Sequence, residues 1–61
     1  MRAHEAQRLA ATINGDYPDW DAEVEYSDDG AYGTVVAAFE EGAVHRLHSP
    51  SDWEEVIDRV G

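Results

Sequence analysis

The residue pattern predicts an α+β fold of order α-β-β-β-α, a three-stranded antiparallel meander with two helices packed on one face. Two stretches space apolar residues three and four apart, the signature of amphipathic helices. Between them lie one strictly alternating segment and two apolar segments, separated by glycine-containing turns.

Residues 2–14 carry Ala3, Ala6, Leu9, Ala10 and Ile13 at helical spacing, and Asn14-Gly15 offers a left-handed stop. Pro18 lacks a backbone donor and biases Tyr17 toward extended geometry, so the chain there leads into a strand. In that strand Trp20, Ala22, Val24 and Tyr26 face one way and Asp21, Glu23 and Glu25 the other. Asp28-Asp29-Gly30 reads as a three-residue hairpin loop, which sets Tyr26 opposite Tyr32, Val24 opposite Thr34, Ala22 opposite Val36 and Trp20 opposite Ala38. A second strand follows over residues 32–40. Glu41-Gly42 reads as a two-residue turn into a third strand over residues 43–48, pairing Phe39 with Val44, Ala37 with Arg46 and Val35 with His48. The second helix opens with Ser49 as cap, Pro50 at the first helical position and Asp52 at the positive end of the dipole. Its apolar stripe is Trp53, Val56, Ile57 and Val60, and Gly61 closes the chain. The expected core is Trp20, Ala22, Val24, Tyr26, Tyr32, Val36, Ala38 and Leu47 beneath Leu9, Ile13 and that stripe.

A chain of 61 residues has room for one domain, residues 1–61, and a core of this size supplies only about 3–5 kcal/mol unless a metal, a disulfide or a partner subunit adds to it. There is no cysteine. Fourteen Asp and Glu stand against four Arg and no Lys, a formal net charge of -10. Such a chain repels itself in dilute buffer, whereas at about 1 M salt the Debye length falls to about 3 Å and exposed charges scarcely interact. Replacement of Lys by acids, with Arg as the surviving cation, resembles the composition of haloarchaeal proteins, which work in molar potassium chloride. No apolar run approaches the roughly 18 residues of a membrane span, and the first residues lack the apolar core of a signal peptide. A cytoplasmic location and no membrane partner are expected.

The candidate chemical groups have structural roles available. His45 and His48 stand three apart, so in a strand they point to opposite faces and cannot share an ion, while His4 lies on an exposed helix turn. Asp16, Asp19 and Asp21 miss the spacing of a calcium loop, and Asp28 and Asp29 suit a turn. Trp20 and Trp53 head inward-facing stripes. Ser27, Ser49 and Ser51 suit turns and caps, and Gly30-Ala31-Tyr32-Gly33 lacks the lysine or following helix of a phosphate loop. No catalytic constellation, cofactor or metal site is expected, and hence no enzyme.

The order α-β-β-β-α in this length resembles the double-stranded-RNA-binding domain in topology. That resemblance implies a cluster of lysines at the start of the second helix, but SPSDWEEV places Asp52, Glu54 and Glu55 there. The family's binding residues therefore do not carry over, and no nucleic-acid partner is expected of so acidic a surface.

The expected register leaves Val35, Ala37, Phe39 and Val44 as an apolar stripe on the sheet face away from the helices, flanked by Asp21, Glu23 and Glu25 on one edge and Arg46 and His48 on the other. A two-fold operation would set acid against base, giving an isologous homodimer with sheets about 10 Å apart. The function this implies is a small homo-oligomeric interaction module of a halophilic cytoplasm. The alternative is a small-ligand or regulatory-partner binding protein that uses the same open face.

Overall fold

The structure, a computed structural model, describes residues 1–40 and 42–60, Val60 through its backbone alone. Its elements are α1 (Ala3–Asp16), β1 (Trp20–Tyr26), β2 (Gly33–Phe39), β3 (Val44–Leu47) and α2 (Pro50–Val60). The strands form one antiparallel sheet in the order β1-β2-β3. This is the expected α-β-β-β-α architecture. The positions expected for Glu41 in the second turn, the Val60 side chain and Gly61 lie outside the described residues.

The apolar half of β1 needs a cover, and both helices supply it from one side. Ala6, Ala10 and Ile13 of α1 and Trp53 and Val56 of α2 join Trp20, Ala22, Val35, Ala37 and Leu47 in a single buried cluster. Trp20 is its hub, with the Trp53 ring edge-on at 5.0 Å and Phe39 at 4.9 Å, while Tyr17 meets Trp53 edge-on at 5.2 Å. Such edge contacts add to the burial of large rings.

The register differs from expectation by one residue at each turn. Tyr26 pairs with Gly33, Val24 with Val35, Ala22 with Ala37 and Trp20 with Phe39. The first loop holds four residues, because the last pair is Ser27 with Tyr32, whose carbonyl accepts the Ser27 N–H at 2.9 Å. Side chains hold the extra residue. Ser27 Oγ accepts the Tyr32 N–H at 3.1 Å, and Asp29 Oδ1 accepts from Ser27 Oγ at 2.6 Å and from the Ala31 N–H at 3.0 Å. In the second turn Phe39 N–H donates to Ala43 O and Gly42 N–H donates to Phe39 O, with Gly42 at φ +96°. A two-residue turn at positions 41 and 42 is thereby replaced by a three-residue connection between Phe39 and Ala43.

The two shifts invert β2 and cancel for β3. Val35, Ala37 and Phe39, expected on the open face, lie on the helix side, with Val35 and Ala37 fully buried. Val36 and Ala38, expected inside, pair with Glu23 and Asp21 on the open side. Leu47 is buried as expected. Tyr26 and Tyr32 are not core residues: they are 51% and 52% exposed, beyond the roof of α1.

Local helix signals also shift. Gly15 does not stop α1, which runs on to Asp16 with ordinary negative φ. Before α1, residues 1–3 bridge antiparallel to residues 31–33: Gly33 N–H donates to Met1 O and Ala3 N–H to Ala31 O. At α2, Ser49 Oγ meets Ser51 Oγ at 2.8 Å, and Asp52 Oδ2 reaches back to the His48 N–H at 2.8 Å. The carboxylate thus fixes the chain entering α2, a variant of the reciprocal capping arrangement.

Candidate interaction surface

The side of the sheet away from the helices is built from three parallel rows. Asp21, Ala38 and Val44 form one row, and Glu23, Val36 and Arg46 the next. Glu25 and Thr34 form the third. Thr34, Val36 and Ala38 are half-buried by their neighbours, while Val44 is 59% exposed. Arg46 Nη1 reaches diagonally across β2 to an ion pair with Glu25 Oε1. Of the nine residues expected to form this surface, Asp21, Glu23, Glu25, Val44 and Arg46 are on it. Val35, Ala37 and Phe39 belong to the core side, and His48 follows β3 with its N–H held by Asp52.

His45 lies opposite Ala37 on the helix side, its ring 5.7 Å from Trp20. Among the described residues, no three His, Asp or Glu side chains converge as ligands for a metal ion. At the loop end of β1 and β2, Met1, Glu25, Tyr26, Ser27, Tyr32, Gly33 and Thr34 line an open cleft of about 280 Å³. Gln7 donates to the Tyr26 hydroxyl at 2.8 Å, and the Arg2 guanidinium lies 5.9 Å from the centre of the Tyr32 ring. Asp29 has its carboxyl pKa lowered, chiefly by the Ser27 hydroxyl and then by the Ala31 N–H.

The β1 edge of the sheet differs from what side-chain patterns reveal. In β1 the odd positions bond to β2, as the Asp19 carbonyl accepting from Glu40 N–H and the Ser27 N–H donating to Tyr32 show, so Ala22 turns its peptide groups outward. The Asn14 side chain meets both: Oδ1 accepts the Ala22 N–H at 2.8 Å and Nδ2 donates to Ala22 O at 3.0 Å. A side-chain amide here takes the place of a fourth strand. Nothing in a helix-terminal Asn-Gly distinguishes this role from a stop signal.

No family model, curated protein or solved structure matches the chain. Among the described residues, no helix is long and apolar enough to cross a membrane.

Proposed function

We propose that this chain is a small homo-oligomeric interaction module adapted to a salt-rich cytoplasm. The observation that carries the reading is Val44, 59% exposed beside Val36 and Ala38 on the side of the sheet that neither helix covers. A thin core supports it, since four of the ten buried hydrophobic residues among those described are alanines. The acidic, lysine-free composition supports function in molar salt, where screening removes the repulsion between like-charged copies.

Sedimentation equilibrium in potassium chloride of about 1 M, from micromolar to hundreds of micromolar protein, should give twice the 6.8 kDa chain mass. A single monomeric species throughout that range would overturn the reading. A second reading, small-ligand binding, is favoured by the cleft between Tyr26 and Tyr32, whose 280 Å³ lies just below the range of about 300–1,000 Å³ typical of ligand pockets. Native mass spectrometry of protein from its source would then show a retained small molecule on a monomer.

A further inference from the structure

We infer that two copies join edge to edge through β3, with His45 on the two-fold axis, to make a continuous six-stranded antiparallel sheet. The inference deepens the self-association reading and rests on it. Stacking of the open faces would bury unpaired carboxylates, a desolvation cost that salt does not screen. Each face carries Asp21, Glu23 and Glu25 against one Arg46, and that guanidinium is already paired with Glu25 of its own chain. Edge pairing keeps Asp21 and Glu23 away from the contact, and Glu25 approaches it only as the ion-pair partner of Arg46.

The hydrogen-bond alternation shows which groups the β3 edge leaves outward. Phe39 N–H donates to Ala43 O, and the His45 and Leu47 pairs fall on the same two-residue period, so these positions bond to β2. Val44 and Arg46 consequently direct their N–H and C=O groups away from the sheet. Among the described residues, none hydrogen-bonds to those four groups. At the opposite edge Asn14 occupies Ala22 and the Trp20 N–H donates to Tyr17 O, while Val24 and Tyr26 also turn their peptide groups outward, there flanked by Glu23 and Glu25. Exposed edges with unpaired peptide groups are templates for strand addition.

The same bonds fix the register. An antiparallel pair centred on His45 sets Val44 against Arg46 of the second copy, and Arg46 against its Val44, so all four outward groups of each chain are satisfied. Centring on Arg46 would oppose two guanidiniums and require His48, whose N–H is held by Asp52. Centring on Val44 would require Gly42, whose N–H is held by Phe39 O. This edge also brings fewer like charges to its own copy than β1, which carries Asp21, Glu23 and Glu25. Val44–Leu47 contains Arg46 and no acid, the one helix or strand with a net positive formal charge in a chain of -10.

Amide hydrogen exchange by NMR in molar potassium chloride tests the geometry on the unaltered protein, beside sedimentation on the same samples. At concentrations where the dimer forms, the Val44 and Arg46 amides should be protected like those of His45 and Leu47, and dilution to monomer should release them alone. V44P removes an outward N–H without touching a bond to β2, and edge strands accept proline. Two bonds per dimer are lost, each worth a factor of about five, so dissociation should strengthen by about 25-fold with the circular dichroism retained. A dimer whose Val44 and Arg46 amides exchange freely would overturn the edge geometry and leave self-association standing. A monomer at every concentration would overturn both.

Discussion

Gly33 occupies a position with no room for a side chain. A Cβ there would stand 2.9 Å from Val24 Cγ1 and 3.0 Å from the Ala6 Cβ, so α1 lies against the sheet through this glycine. Its constraint is space, since its φ is not positive. Gly33→Ala must push α1 outward or bend β1, and overpacking of this kind costs about 1–3 kcal/mol. Urea unfolding in molar potassium chloride should show that loss, and an unchanged midpoint would mean that α1 is not seated here. At Asp29 the effect is electrostatic. The Ser27 hydroxyl and the Ala31 N–H both favour the carboxylate and lower its pKa. With a depressed folded pKa, the turn's contribution is complete above the ordinary carboxylate range and disappears as pH falls through the folded value. In a carbon-detected NMR titration Asp29 should protonate below the ordinary carboxylate range, and Ser27→Ala should move its midpoint upward. A midpoint unmoved by Ser27→Ala would assign the shift to the backbone alone.

At the scale of elements, Asn14 couples α1 to the margin of β1. Asn14→Ala leaves the Ala22 N–H and C=O without their two side-chain partners, a loss of about 1–3 kcal/mol, and uncovers an edge next to Asp21 and Glu23. Asn14→Asp keeps an acceptor for the Ala22 N–H and should recover part of the loss. The Ala22 amide, followed by hydrogen exchange, should become unprotected in the alanine variant; continued protection would show that something other than Asn14 covers this edge. All five elements were legible in the sequence because β1 alternates strictly and both helices have one apolar stripe. The facing of β2 was not. Gly33–Phe39 reads GTVVAAF, apolar on both sides, so its pattern permits either register and only the turns decide. Those turns depend on Ser27 and Asp29 side-chain hydrogen bonds that lengthen the first loop by one residue. The expected interaction surface failed at the same point: its β1 residues and Val44 and Arg46 were placed correctly, its β2 residues were replaced by Val36 and Ala38, and His48 falls after the end of β3.

For the whole molecule, surface charge opposes a core of little reserve. Twelve of the fourteen acids are exposed, Asp52 is half-buried and Glu41 is outside the described residues. Among the described residues the single ion pair is Arg46 with Glu25. Two carboxylates about 10 Å apart in water repel by about 0.4 kcal/mol, so a handful of such pairs amounts to about 2 kcal/mol. That is a large share of the roughly 3–5 kcal/mol available to a domain this small. Screening at about 1 M salt removes most of it. Raising potassium chloride from tens of millimolar to molar concentration should therefore raise Tm by about 8–16 °C, at about 4–8 °C per kcal/mol. At the low end of that range, emission from Trp20 and Trp53 should shift to the red as their cluster opens. Concentrated salt also strengthens apolar burial, so the cause must be separated by charge. A variant carrying Glu23→Gln, Glu54→Gln and Glu55→Gln alters three exposed side chains and no core contact. If repulsion governs, this variant should be more stable than the parent in dilute buffer and no more stable in molar salt, with a flatter dependence of Tm on salt. Equal slopes for the two proteins would assign the salt response to apolar burial, and a parent Tm unchanged down to tens of millimolar salt would remove the physical basis for reading the acidic surface as an adaptation to brine.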